Sequence, residues 1–335
     1  MQDNIYIIGE IGQAHDGSIG MAHAYIDALA LAGVDAAKFQ MHIADAESSI
    51  YEPFRNDTYF YDHSRMDYWR RMEFTKLEWV SLKKHCKEKK LDFIVSPFSN
   101  EAVDLLQEIG ADKVKIGSAE AINLLIINKI SKKNKDIIIS SGMSQIAELD
   151  DSIAYLKDKN CNLALLQCTT AYPTSPHQWG LNMIADLRDR YHIPIGFSDH
   201  SGNIYACLAA ASMGARLLEF HIVFDQKMFG PDASSSLTVD NAITMVKGVR
   251  QIEAALKNPV DKNDDSAFET SKTNFGRSLS LNKSLQKGQA VSFDDLESKK
   301  PAGYGIPVKC YLGIIGKKLA RNMEKWEFLN EDDLI

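Results

Sequence analysis

Two histidines carry the strongest chemical signal in this chain. His200 closes the apolar run 193–198, and His221 closes the run 215–220. Between them, residues 202–214 read as an Ala-rich helix (Tyr205, Ala206, Leu208, Ala209, Met213), so the unit is strand, crossover helix, strand. Neighbouring parallel strands follow, and both imidazoles then stand on one rim where a divalent metal ion could bind. A lone histidine is usually a satisfied core or surface side chain; the matched positions single out this pair.

Other strand ends add polar groups to the same rim. They are Glu10, Lys38 with Gln40, Ser96, Lys115 with Ser118 and Glu120, Ser140 with Ser141, Thr169 and Thr170 with Tyr172, and Ser198 with Asp199. Lysines inside short apolar runs, as in Ala36-Ala37-Lys38-Phe39-Gln40 and Val114-Lys115-Ile116, are costly unless they face a polar cavity or an anion. Ammonium and hydroxyl donors together match phosphate and carboxylate oxygens, so an anionic ligand is expected. The alternative is that both lysines run outward to solvent. Ser198-Asp199-His200 is not read as a hydrolase triad, because consecutive residues near a strand point to opposite sides. The small-residue turns Gly117-Ser118-Ala119-Glu120 and Ser141-Gly142-Met143 are weak phosphate signals by themselves.

The elements that must position these groups alternate regularly. Strand-like runs lie at 5–9, 36–41, 93–96, 113–116, 137–140, 163–168, 193–198 and 216–220, with helical spacing at 21–32, 100–109, 124–132, 148–157 and 205–213. Eight such alternations predict an α/β fold, a (β/α)8 TIM barrel whose site lies at the C-terminal ends of its strands. A doubly wound open sheet is the alternative, but Gly9-Glu10-Ile11-Gly12 puts a carboxylate where its glycine-rich turn would be. The barrel is expected over residues 1–256, ending on a helix at 241–256, followed by a linker over 257–274. Residues 275–335 read as a small β-rich module. The aromatic and charged stretch 50–79 is too long for a routine barrel loop and reads as a lid or subunit contact.

Composition excludes several classes of function. The 335 residues carry a net charge of −7, which argues against a nucleic-acid partner. No apolar run approaches a membrane span, and Met1-Gln2-Asp3-Asn4 resembles neither a signal nor a transit peptide, so a cytoplasmic protein is expected. Five scattered cysteines show no zinc or redox spacing. The basic run at 83–90 reads as a solvated helix face.

Taken in order, several motifs resemble those of the sialic acid (N-acetylneuraminate) synthase family, which includes legionaminic and pseudaminic acid synthases. They are Glu10-Ile11-Gly12-Gln13-Ala14-His15-Asp16-Gly17, Lys38-Phe39-Gln40, Ser96-Pro97-Phe98-Ser99, Lys115-Ile116-Gly117-Ser118-Ala119-Glu120, Ser141-Gly142-Met143, Cys168-Thr169-Thr170-Ala171-Tyr172-Pro173-Thr174, Gly196-Phe197-Ser198-Asp199-His200 and Gly230-Pro231-Asp232. Phe275-Gly276-Arg277-Ser278-Leu279, Lys287-Gly288 and Lys300-Pro301 resemble that family's antifreeze-like (SAF) domain.

The resemblance implies condensation of phosphoenolpyruvate with the open-chain aldehyde of an N-acylated amino sugar, giving a nonulosonic acid and phosphate by C–O cleavage. It implies a divalent ion, Mn2+ or Mg2+, on His200 and His221, and Glu10 as the carboxylate that handles protons. Lys38, Gln40, Ser96, Lys115, Ser118, Ser140 and Ser198 match phosphoenolpyruvate-binding positions. Glu120, Thr170, Tyr172, Asp232 and Lys300 match sugar-side positions. The chain departs from the neuraminate-forming pattern at Thr170, which stands in place of an Asn, at Gln167 in place of a His, and at Ala119 in place of a Gly. Lys300 stands where the family has an Arg that reaches the neighbouring subunit's site, which implies a domain-swapped homodimer. A different phosphoenolpyruvate–aldose condensation, of the 3-deoxy-octulosonate type, and a catalytically silent sugar-binding protein are the competing readings.

Overall fold

The computed structural model describes residues 4–54, 61–111, 113–134 and 136–335. The chain divides into two compact units, Met1–Asn258 and Pro259–Ile335.

In the first unit, eight parallel strands pair in chain order: β1 (Tyr6–Gly12), β2 (Ala36–Met41), β3 (Asp92–Pro97), β4 (Lys113–Ile116), β5 (Asp136–Ser140), β6 (Asn162–Cys168), β7 (Ile195–Asp199) and β8 (Leu217–Val223). Pairing of β8 back onto β1 closes the barrel. The outer helices are α1 (Ile19–Ala32), α2 (Ala44–Glu47), α3 (Arg65–Met72), α4 (Lys76–Glu88), α5 (Asn100–Ile109), α6 (Leu124–Lys133), α7 (Ile146–Asp158), α8 (Met183–Tyr191), α9 (Tyr205–Ser212) and α10 (Val239–Lys257). A two-residue strand, β9 (Leu237–Thr238), pairs in parallel with the end of β8 at Ile222 and Val223.

Helix boundaries follow local chemistry. Ser18 caps α1 by accepting from the Met21 N–H, Ser99 caps α5, and Thr75 with Glu78 forms a reciprocal capping box at α4. Gly33 and Gly110 end α1 and α5 in the left-handed region, at φ 78° and 75°, which glycine enters without strain.

Strand periodicity sorts the barrel interior into layers. Ile8, Ile94, Ile138, Ala164, Leu166 and Leu217 pack as one apolar cluster inside the strands. Two residues further along the same strands come Glu10, Ser96, Ser140, Cys168 and Glu219, so period two alone carries the interior from apolar to polar. Gly196 lets β6 and β8 approach at the lower level. A Cβ there would stand 2.5 Å from both Leu166 Cδ2 and the Leu217 carbonyl oxygen.

Two expectations shift by a few residues. β8 runs on to Val223, so His221 lies inside the strand rather than closing it. β1 continues to Gly12, with an irregularity in its pairing with β2 between Glu10 and Gly12. Part of the stretch read as a lid, residues 55–60, lies outside the described residues. The rest contributes α3 and the start of α4.

The second unit has its own core of Leu279, Leu281, Leu285, Val291, Ile306, Ile314, Leu319, Met323 and Leu329. Its antiparallel pair is β10 (Ser278–Leu281) with β11 (Leu296–Lys299). Single bridges such as Ala290–Lys318 and Leu319–Leu334 join other parts of this unit. Within the segment read as a linker, α11 (Glu269–Phe275) forms an exposed helix. No helix among the described residues is long and apolar enough to cross a membrane.

Gly196→Ala is expected to destabilise the barrel by about 1–3 kcal/mol, because neither neighbouring strand can retreat without losing pairing. Urea unfolding followed by circular dichroism measures this; an unchanged midpoint would refute the close approach.

Candidate active site

The C-terminal ends of the strands open into a cavity of about 740 Å3. Lys38, Gln40, Ser96, Lys115, Ser118, Glu120, Ser140, Thr170, Tyr172, Ser198, His200, His221 and Asp232 all line it. Glu10 is fully buried beside that lining, bonded to Lys38 and accepting from Gln40 Nε2 at 2.9 Å. Lys300 belongs to the second unit, where its ammonium lies 5.3 Å over the Phe275 ring.

Register explains the convergence. Glu10 lies opposite Lys38 on one side and His221 on the other, while Gln40 lies opposite Ser96 and Ser198 opposite Glu219. Residues far apart in the chain therefore meet because closed parallel strands put their inward positions at one height.

At the base is an ion cluster that the sequence reading did not include in full. Glu219, on β8, lies 3.4 Å from the Lys115 ammonium and 3.7 Å from that of Lys38. Lys115 also donates to Ser140 Oγ at 2.7 Å. Burial alone would raise the Glu219 carboxyl, but Lys115 and Lys38 outweigh it and hold the group below the ordinary carboxylate range. Burial would lower Lys38, yet Glu10 and Glu219 together keep its ammonium favoured. Lys115 is pulled below the usual amine range by burial, and Glu219 restores only part of the difference.

Among the described residues Lys115 has one carboxylate within 4 Å, Glu219, and shares it with Lys38, which has Glu10 as well, so an anionic ligand beside Lys115 would add a second partner. Ser96 Oγ is buried without a hydrogen-bond partner and can donate to a ligand, while Glu219 Oε2, likewise unpartnered, calls for a donor; both residues line the cavity. Such atoms in a folded protein mark a place where a ligand or water completes the bonding.

The same rule that singled out Lys38 and Lys115, a charge inside an apolar strand run, finds Glu219. Its i,i+2 relation to His221 puts both on the inner face. The sequence reading also passed over Gln13, His42, Glu47, Glu52, Arg65, Trp69 and Phe98 as cavity residues. Several come from the irregular stretch after β2, where no period indicates direction.

The two histidine rings lie 5.2 Å apart between centroids, with Tyr172 4.3 Å from His200. His200 Nδ1 stands 3.1 Å from the Thr169 carbonyl. A carbonyl only accepts, so Nδ1 carries a proton, and in the neutral ring Nε2 is the nitrogen with the lone pair. Burial lowers the His221 pKa and favours the neutral ring a metal ion requires. For His200 burial acts in the same direction, but the Cys168 thiol opposes it and the net shift is upward. Asp232 Oδ2 lies 3.9 Å from His221 Nδ1. Two imidazoles suit a divalent ion, although no group of three or more His, Cys, Asp and Glu converges among the described residues. Of the departures noted in sequence, Thr170 and Ala119 line the cavity, whereas Gln167 bonds the Trp179 carbonyl and is not among its lining residues.

Fold and site define a (β/α)8-barrel protein with a polar cavity, built around buried lysines, at its C-terminal rim. Residues 25–261 match the sequence profile of the NeuB family. N,N'-diacetyllegionaminic acid synthase of Campylobacter jejuni subsp. jejuni is 33% identical over 97% of this chain and 98% of its own length. N-acetylneuraminate-9-phosphate synthase of Homo sapiens is 28% identical over 99% of this chain and 93% of its own. The crystal structure of N-acetylneuraminic acid synthetase from Leptospira borgpetersenii serovar Hardjo-bovis, in complex with citrate, superposes with a TM-score of 0.70. It is 26% identical and covers 80% of this chain and 90% of that one. The chain belongs to the NeuB family, that of the sialic acid synthases.

Glu219→Gln leaves Lys115 without its carboxylate partner and should cost about 3 kcal/mol near neutral pH. The folded-state pKa of Glu219 lies below its ordinary 4.5, so its contribution is present above that pH and is lost as pH falls toward the folded value. The stability gap between wild type and variant should therefore narrow below pH 4.5 in denaturant titrations. A pH-independent gap would refute the charge origin.

Proposed function

We propose that this protein condenses phosphoenolpyruvate with the open-chain aldehyde of an N-acylated amino sugar, forming a nonulosonic acid and inorganic phosphate. The observation that carries the reading is the buried Lys115, whose one carboxylate partner among the described residues is shared with Lys38, ringed by Ser96, Ser118, Ser140 and Ser198. A small ligand with both phosphate and carboxylate matches that donor set. Family membership supports the same reaction class.

In the proposed reaction C3 of phosphoenolpyruvate bonds to the aldehyde carbon, water oxygen bonds to C2, and phosphate leaves with cleavage of the C2–O bond. Lys38, Lys115 and the serines hold phosphoenolpyruvate and disperse its charge. Glu10, its two oxygens bonded to Lys38 and Gln40, is the carboxylate that handles protons beside the reacting carbons. Glu120, Thr170, Tyr172 and Asp232 form the sugar side. His200 and His221 are the residues that would hold Mn2+ or Mg2+, which supplies Lewis acidity to the aldehyde oxygen.

The second unit is read as an antifreeze-like domain in a domain-swapped homodimer, with Lys300 directed at the sugar of a second copy. The Phe275-Gly276-Arg277-Ser278-Leu279 motif and the small separate core support this.

Phosphate release measured against a panel of amino sugars, with and without manganese, tests the proposal; no release with any sugar would overturn it. His221→Ala is expected to lose manganese-dependent turnover by at least about 100-fold while unfolding stays cooperative. Unchanged turnover would remove His221 from the metal site. Lys300→Ala should raise the sugar KM more than that of phosphoenolpyruvate, and equal rises would refute a sugar-side role.

A further inference from the structure

The outer wall of the cavity comes from the stretch after β2 and differs in charge from the base. A hydrogen-bonded chain leads outward to it. Gln40 Nε2 donates to Glu10, Gln40 Oε1 lies 3.2 Å from His42 Nε2, and His42 Nδ1 lies 2.7 Å from Glu47 Oε1. With its amide nitrogen committed to Glu10, Gln40 meets His42 as an acceptor, so His42 Nε2 donates. A second proton must lie between His42 Nδ1 and Glu47. Whichever of the two holds it, the pair has no surplus positive charge.

The His42 ring is fixed between Trp69, 3.8 Å away and stacked, and Phe98, 4.6 Å away and stacked. The other cation of this wall, Arg65, pairs with Glu52 at 3.3 Å and lies 4.1 Å over the Trp69 ring. Glu120 adds a further carboxyl, whose pKa is raised chiefly by burial and further by Glu47. Among the described residues of the wall, then, each cation already has a carboxylate, and none is left over for a further anion.

Glu47 supplies the second observation. Its side chain is 8% exposed, it lines the cavity, and its Oε2 is buried without a hydrogen-bond partner. A buried carboxylate oxygen facing a ligand space calls for a donor. To a phosphate, which at neutral pH brings acceptors and negative charge, this oxygen offers no donor and the His42–Glu47 pair no compensating charge.

We propose that Glu47 reads the end of the aldose remote from its aldehyde, accepting a hydrogen bond from a hydroxyl or acylamino N–H, and so selects an acceptor sugar without a terminal phosphate. The inference rests on the condensation proposed above. That reaction puts the aldehyde by Glu10 and the histidines, three hydrogen-bonded steps inward from Glu47. The base of the cavity then takes the phosphate of phosphoenolpyruvate, and the wall takes the neutral end of the sugar.

The test compares an N-acylated aminohexose with its 6-phosphate ester in the full-length enzyme, with phosphate release measured under saturating phosphoenolpyruvate. The free sugar should be preferred in kcat/KM by at least about tenfold. Glu47→Gln should raise the KM of the free sugar about tenfold, leave the KM of phosphoenolpyruvate unmoved, and narrow the preference against the ester. Equal or better turnover of the ester by wild type would overturn the inference and leave the condensation intact. So would an unmoved sugar KM in a Glu47→Gln protein that melts as wild type does. Release with neither sugar, nor with any other aldose, would overturn the condensation and this inference with it.

Discussion

Four charged side chains, Glu10, Lys38, Lys115 and Glu219, are buried together inside a closed barrel, each at most 4% exposed. Ions in such a place are tolerated only when they compensate one another, and the geometry that lets them do so is set by strand register. Glu10 and Lys38 are direct neighbours across β1 and β2, and Glu219 on β8 reaches both lysines from the other side. Lys115 shares its one carboxylate partner among the described residues, Glu219, with Lys38. Charges held apart from water in this way are fixed in place before any ligand arrives.

The rest of the structure can be understood as support for that cluster. Beneath it, the apolar layer from Ile8 to Leu217 fills the barrel and keeps water from the lower side of the ions. Around it, capped helices such as α4 and α5 pack on the strands and hold their register. Above it lies the wall after β2, which pairs Arg65 with Glu52 and His42 with Glu47. One cavity thus has two chemical faces, an inner one built on buried lysines and serines and an outer one whose cations are already paired.

The legible part of the sequence was the part with a short period. Alternating strands and helices outlined the barrel, and charges embedded in apolar runs identified Lys38 and Lys115. Glu219 obeyed the same pattern within Leu217–Val223 but was passed over in favour of His221 two residues on. The wall residues His42, Glu47, Glu52, Arg65 and Trp69 obeyed no pattern. They lie in or beside α2 and α3, whose placement no strand period encodes, and composition alone suggested only a lid or a contact.

What the sequence determined by itself was the set of residue types and the strand faces on which they stand, because side-chain direction in a strand depends on backbone geometry alone. The tertiary structure decided which of those faces share one height. Closure of β8 onto β1 brings Glu219 to Lys38 across 181 residues of chain, and no local signal encodes that distance. It also decided the charge balance. A pKa depends on burial and on neighbours within a few ångströms, so the low Glu219 carboxyl and the weakened Lys115 ammonium exist only once the barrel has closed.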